Sequence, residues 1–217
     1  MNRFYRMLKI IAPAIFHVFC PYRILNRPPK PEGAAVICAN HVSFMDPVFL
    51  ALASPRQIFY MAKAELFRNR FFAAFIRKLG AFPVVRGAGG SAIQTANEIL
   101  ARGDVLGIFP EGTRSKTGAM QAGKSGVVLI AHQNHAPIYP MAIACAGKRP
   151  RIFRRTRIVC GEPIWPEELN IREGTAAEYR NATRMVMQRI AALQQQGWDD
   201  LHVHPIAASA SAEGGKA

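Results

Sequence analysis

The sequence predicts a single α/β domain, a mixed, largely parallel sheet flanked by helices, with an N-terminal membrane-interface helix in front of it. Three observations carry this. From Ala34 onward, short apolar runs alternate with segments of helical periodicity, the order that builds β-α units. Half of the 217 residues are hydrophobic, enough to cover both faces of one sheet in one core. Helix-start and turn residues fall between the runs rather than inside them. The division expected is an interfacial helix and linker over 1–30, a catalytic domain over 31–200 and a disordered tail over 201–217.

Each element has a local reason. Ala34 to Cys38 reads as a buried strand. Asp46 followed by Pro47 reads as an N-cap with proline at the first helical position, leading into Val48 to Ala53. Ile58 to Ala62 and Phe82 to Val85 read as strands, and a glycine-rich loop from Gly87 to Gly90 follows. Ser91 and Gln94 have the spacing of a capping box for a helix ending near Gly103. Val105 to Phe109 is the next strand, and an apolar helix from Gly126 to Gln133 comes after a long polar loop. Strands near Pro137 to Ala144 and Ile152 to Cys160 are joined by a turn at Lys148 and Pro150. Ala176 to Gln196 closes the domain as an amphipathic helix.

Twenty-eight Lys and Arg against fourteen Asp and Glu leave a net charge of +14, which calls for an anionic partner. No helix-turn-helix, finger or aromatic RNA-binding signature accompanies the charge, so an anionic membrane surface fits better than nucleic acid. The four cysteines form no C-x-x-C pair, and Cys38 and Cys145 sit in apolar runs, so they read as reduced and structural. Arg3, Arg6 and Lys9 precede an apolar stretch from Ile10 to Phe19 that lacks a small-residue cleavage site. A spanning helix needs about 20 apolar residues, and Pro13 and His17 interrupt this one. It reads as a helix lying in the interface, with an ordinary helix packed on the domain as the alternative.

Three segments carry chemistry. Asn40-His41-Val42-Ser43-Phe44-Met45-Asp46 brings an imidazole and a carboxylate into one turn at a strand end. Acyl transfer to an alcohol needs a base near neutral pKa, and a carboxylate can fix its tautomer and stabilise the imidazolium. Gly80 to Gly87 delivers Arg86 from a strand into glycines, where a forked cation suits phosphate. Phe109-Pro110-Glu111-Gly112-Thr113-Arg114-Ser115 ends another strand, where open α/β sheets place ligands. There Arg114 suits a phosphate, and Glu111 suits hydrogen bonds from glycerol hydroxyls. Taken singly, each is an ordinary polar loop. Gly118 to Ser125 also fits a nucleotide phosphate-loop pattern, but it follows polar residues rather than a buried strand. Asn181-Ala182-Thr183 fits a glycosylation acceptor inside an expected helix.

With Pro137-Ile138-Tyr139-Pro140 as a fourth block, the chain resembles the lysophosphatidic acid acyltransferases of the glycerolipid acyltransferase superfamily over residues 32–165. The resemblance implies His41 as general base, Asp46 as its partner, and Arg86 and Arg114 as phosphate ligands. It also implies Glu111, Gly112 and Thr113 as shapers of the acceptor site and Lys63 as a further phosphate contact. It implies direct transfer from an acyl thioester, carried by acyl carrier protein or coenzyme A, to the sn-2 hydroxyl of 1-acylglycerol 3-phosphate. Neither metal nor organic cofactor is expected. The lysophospholipid acceptor places the enzyme at the cell membrane, peripheral or monotopic on its cytoplasmic face. The uncharged glycines after Arg86 depart from the more polar relatives and leave the acceptor headgroup open. Glycerol-3-phosphate or another lysophospholipid is the alternative acceptor, ahead of a basic nucleic-acid-binding or non-catalytic lipid-binding protein. Ser43 and Cys38 are the nearby side chains for a covalent route.

Overall fold

Ala35–Ala39 has five successive buried side chains, and only a strand covered on both faces accommodates that pattern. In the computed structural model, which describes residues 3–27, 29–84, 89–147 and 149–203, it is β2. The chain order is α1 (Arg3–Phe19), β1 (Tyr22–Leu25), β2, α2 (Asp46–Ala53), β3 (Ile58–Lys63), α3 (Arg70–Lys78) and β4 (Ala81–Val84). It continues with α4 (Gly89–Ala101), β5 (Val105–Ile108), α5 (Gly126–Gln133), β6 (Ile138–Cys145), β7 (Thr156–Cys160) and α6 (Ala176–Leu201).

The seven strands form one sheet in the order β1-β7-β6-β2-β5-β3-β4. The five from β6 to β4 run parallel, and β7 is antiparallel to β6 with β1 parallel to β7. Alternation along β2 sorts the two faces. Val36 and Cys38 pack under α4, α5 and α6, while Ala35, Ile37 and Ala39 pack under α2 with Phe16 and Cys20 of the N-terminal segment. Because β2, β3, β4, β5 and β6 share a direction, the loops that leave their C-terminal ends gather on one edge. The His41–Asp46 turn leaves β2 and the Phe109–Ser115 segment leaves β5 on this edge, whereas Pro137-Ile138-Tyr139-Pro140 opens β6 at the other.

The expected α/β architecture stands, with local corrections. The stretch expected as linker contributes an edge strand, β1, too short and too exposed to show a buried period. Residues 152–155 are an exposed loop rather than the start of β7, because Phe153 holds a left-handed φ of 60°, which no strand accommodates. Ser91 lies inside α4, already helical from Gly89, so it does not begin that helix. Helix α6 runs on to Leu201, where His202 at φ 54° ends it. Val85, the first part of the expected glycine-rich loop, Lys148 of the expected turn and residues 204–217 of the expected tail lie outside the described residues.

Helix α3 is not among the elements expected from the sequence, although its cap and its amphipathic period are those of a helix. Asn69 accepts from the main-chain N–H groups of Phe71 and Phe72 at 3.0 and 3.1 Å, and Arg77 and Lys78 sit in its last turn, favourable at the negative end of the helix dipole. Its phenylalanines face outward, the reverse of a core helix, and Phe71, Phe72 and Phe75 are all exposed.

The N-terminal helix has one packed face and one exposed apolar face. Tyr5 is buried, and Ala12 and Phe16 pack on the domain, with Phe16 edge-on to Phe49 at 5.7 Å. Met7, Ile10, Ile11, Ile15 and Val18 remain exposed on the other side. No described helix is long and apolar enough to cross a membrane. Lys9 fastens α1 to α2, its ammonium donating to the carbonyls of Ala51 at 2.7 Å and Ser54 at 2.6 Å. These are orphan acceptors at a helix C-terminus. Burial, helped by the charge of Arg27, pulls the Lys9 pKa down to about 8. Lys9→Met should therefore lower Tm by roughly 3–6 °C, the loss of about 1.5 kcal/mol of charge-assisted bonding in a chain of this size. A thermal melt superimposable on the wild type would show that this clasp contributes nothing.

Candidate active site

Beyond Ala39 the chain leaves the sheet and turns so that Asp46 folds back on it. Asp46 is fully buried, and its Oδ2 accepts three hydrogen bonds at 2.7 Å, from His41 Nδ1 and from the main-chain N–H groups of Val42 and Ser43. This corrects its expected role as N-cap. Met45 occupies that position and Asp46 is the first helical residue, so its carboxylate serves the turn before the helix, not the helix itself. An oxygen already receiving two N–H groups can only accept from the imidazole. Nδ1 therefore carries the proton, and Nε2 is left as the basic nitrogen.

The imidazole is fixed from two further directions. Its ring stacks on Phe109, centroids 4.1 Å apart and 17° from parallel, and Phe109 stacks in turn on Tyr60 at 6.3 Å. Tyr60 donates its hydroxyl to the Pro47 carbonyl at 2.9 Å, tying the stack to the start of α2. Gly107 makes room for it, since a Cβ there would lie 2.4 Å from the Tyr60 ring. Behind His41, the buried Asn40 amide clamps Ile143 of β6, donating to its carbonyl at 3.0 Å and accepting from its N–H at 2.8 Å. Asn40 and Phe109 stand within sequence blocks that do not disclose these roles, and no block contains Tyr60.

Glu111, expected at the acceptor, braces the backbone on which the site is built. It is buried, its Oε1 accepts from the His41 N–H at 2.7 Å and its Oε2 from the Gln121 N–H at 3.0 Å. The His41 carbonyl receives the Ser115 N–H at 2.8 Å, so the 111–115 loop holds the His41 backbone on both sides. Burial raises the Glu111 pKa above its ordinary value of 4.5, only partly opposed by the N–H groups of His41 and Gln121. With the folded pKa above the unfolded one, the folded state binds more protons just above pH 4.5, and stability falls as pH rises through that window. Glu111→Gln should lack that descending limb. Its turnover should fall as well, because one N–H of the pair loses its acceptor. Identical Tm-against-pH curves for variant and wild type would remove this account of Glu111.

Gly112, Thr113 and Arg114 are exposed at the rim. The Arg114 guanidinium lies 3.5 Å from the ring centroid of Phe44, which sets a flat cation against the turn that carries His41. Lys63 is exposed at the C-terminal end of β3, level with Val84 of β4. Arg86 lies outside the described residues. Lys124, the lysine of the nucleotide-loop pattern, lies over Gly112, whose φ of 68° suits glycine and where a Cβ would come within 3.2 Å of Lys124 Nζ.

The nucleotide-loop pattern is an accident of spelling. Its main-chain donors are already engaged, Gly118 with Ser115 Oγ, Ala119 with Thr117 Oγ1, Gln121 with Glu111 and Lys124 with the Pro110 carbonyl. None of these four is left to cradle a phosphate. Asn181 lies within α6, as expected. Burial raises the pKa of the Cys38 thiol strongly, which disfavours a thiolate nucleophile there. The Ser43 hydroxyl accepts from the Met45 N–H at 3.2 Å.

A three-layer α/β domain with a His–carboxylate pair and cationic side chains at the C-terminal edge of its parallel strands has the layout of an enzyme that activates a hydroxyl beside an anionic group. The chain belongs to the acyltransferase family, whose model matches residues 22–144. The 1-acyl-sn-glycerol-3-phosphate acyltransferase of Bacillus subtilis is 35% identical over 147 residues, 65% of this chain and 73% of the relative. The enzyme of the same name from Streptococcus pneumoniae is 29% identical over 85% of this chain and 71% of its own length. In fold, the chain is similar to the crystal structure of the 1-acyl-sn-glycerophosphate acyltransferase PlsC from Thermotoga maritima. The TM-score is 0.68 at 22% identity, covering 93% of this chain and 81% of that one.

Proposed function

We propose that the chain is an O-acyltransferase that moves a fatty acyl group from a thioester to the sn-2 hydroxyl of 1-acylglycerol 3-phosphate, forming phosphatidic acid. The observation that carries this reading is the buried Asp46 holding Nδ1 of His41, which leaves Nε2 as the base. His41 Nε2 takes the proton as the acceptor oxygen attacks the thioester carbonyl. The tetrahedral intermediate collapses with cleavage of the C–S bond, and the imidazolium returns its proton to the departing thiolate. Arg114 and Lys63 are assigned to the acceptor phosphate, with Arg86 given the same role by resemblance alone. Direct transfer needs only a base and positioning. The test is thiol release from acyl carrier protein and coenzyme A donors, run with lysophosphatidic acid, glycerol 3-phosphate and other lysophospholipids. Preference for another acceptor would reassign the substrate, and no transfer to any would remove the enzyme reading.

A diacyl product partitions into lipid, which assigns the exposed face of α1 to a bilayer surface, with a soluble donor arriving from the cytoplasmic side. Contact extends past both ends of the helix, through Phe4 edge-on to Phe75 of α3 at 6.0 Å and through Phe19 beside Phe153 at 6.2 Å. Deleting residues 1–20 would also strip Tyr5, Phe16 and Cys20 from the core, so point substitutions test the membrane role more cleanly. Ile10→Ser, Ile15→Ser and Val18→Ser together should weaken vesicle binding at least tenfold, about 1.4 kcal/mol of lost apolar contact or more. Turnover on a short-chain, water-soluble acceptor should hold. Wild-type sedimentation with vesicles would assign α1 to packing alone.

A further inference from the structure

We propose that the β6–β7 hairpin loop, Arg149 to Arg155, is a second membrane anchor, an anionic-headgroup site at the rim of the catalytic edge that sets the orientation of the active site on the bilayer. It rests on the membrane-facing reading above and adds a separate surface to it. Four arginines of this loop, Arg149, Arg151, Arg154 and Arg155, are exposed, and none joins an ion pair among the described residues. Two large apolar side chains stand among them, Ile152 at 62% exposure and Phe153 at 70%. Cationic heads beside outward-facing apolar groups match a lipid interface, where the first meet phosphates and the second enter the acyl boundary.

The loop is held in that posture. Phe153 adopts φ 60°, costly for an aromatic residue, and its N–H donates to the Phe19 carbonyl at 2.7 Å. Thr156 N–H donates to the Pro21 carbonyl at 2.9 Å. The hairpin is thereby tied to the end of α1, and the Phe19 and Phe153 rings continue the exposed face of that helix.

Topology puts it beside the chemistry. Strand β6 runs parallel to β2, so its C-terminal end shares an edge with His41. Asn40 grips Ile143, and the strand ends at Cys145, which sets the base of the hairpin roughly 7 Å farther out. A bilayer touching α1 and this loop together meets the edge on which His41 and Arg114 lie. An acidic protein would satisfy the arginines alone. The apolar pair and its continuity with α1 favour lipid.

The experiment uses the full chain in sedimentation with phosphatidylcholine vesicles, with and without phosphatidylglycerol. Each arginine near an anionic surface contributes about fivefold in partitioning. The combined R151Q, R154Q and R155Q variant should therefore bind phosphatidylglycerol vesicles roughly 100-fold more weakly while changing little on neutral ones. Ile152→Ser with Phe153→Asn, asparagine tolerating the left-handed backbone, should weaken binding to both vesicle types about tenfold. Turnover of both variants on a short-chain, water-soluble acceptor with acyl-coenzyme A should match the wild type. Unchanged vesicle binding overturns the proposal. So does intact vesicle binding with a raised KM for acyl carrier protein alone, which would make the loop a donor dock. Loss of turnover on the soluble acceptor in a variant that melts normally also overturns it, by placing the loop in the site. Failure of the function reading would look different, as a wild-type protein that binds vesicles but transfers no acyl group.

Discussion

Asp46→Asn is expected to lower turnover by roughly 10²- to 10⁴-fold, the range for removing the charge behind a catalytic imidazole. The fold should survive. An amide oxygen in place of Oδ2 can still receive the Val42 and Ser43 N–H groups and the Nδ1 proton, so the turn keeps its bonds. The amide nitrogen would take the place of Oδ1, which has no hydrogen-bond partner among the described residues of the wild type. One unsatisfied buried donor costs about 1–3 kcal/mol, offset in part because a buried charge has gone. Stability therefore moves little while chemistry moves greatly, because a neutral amide cannot stabilise the imidazolium formed as the acceptor is deprotonated. His41→Ala should cost at least as much, and combining the two changes should add little to His41→Ala. The measurements are single-turnover acyl transfer and a thermal melt on each variant. A well-folded Asp46→Asn enzyme at wild-type speed would eliminate the pair.

What the sequence made legible was what neighbours in the chain decide. The alternating elements, the His41–Asp46 turn and the Arg114 loop at the end of β5 follow from short spacings and apolar runs. Asp46 shows the limit of such reading. Its carboxylate does accept main-chain N–H groups, as a capping residue would, but they are Val42 and Ser43 before the helix rather than groups inside it. Contacts between distant segments were not legible. Lys9 reaches carbonyls more than forty residues away, Asn40 reaches Ile143, and the Tyr60–Phe109–His41 stack joins the middle of β3 to the ends of β5 and β2. Glu111 was legible as a site residue but not as a buried brace, because sequence does not say which carboxylate faces solvent. For helix α3 the cap and the amphipathic period are in the sequence, and what was not legible is the direction its apolar side faces. Its aromatic residues face outward, so the usual rule of apolar side chains inside misleads, and the same holds for Ile152 and Phe153.

Arg114→Lys is expected to lower kcat/KM for phosphate-bearing acceptors by roughly 10- to 100-fold, although the charge is kept. The guanidinium is planar and stacks over Phe44, itself 70% exposed, so its plane is set by the ring and its forked donors stand ready for phosphate oxygens. A lysine in that position gives one compact, strongly hydrated cation, losing both the fork and most of the stacking. The loss should follow the phosphate. An uncharged monoacylglycerol, whose hydroxyl meets the same base, should be used by the variant about as well as by the wild type, however slowly. Because His41 is held through Glu111, Ser115 and Phe109 rather than through the Arg114 side chain, the single-turnover rate at saturating acceptor should change less than KM does. Equal losses on charged and uncharged acceptors would assign Arg114 to the shape of the loop instead, with the phosphate left to Lys63, Arg86 or Lys124.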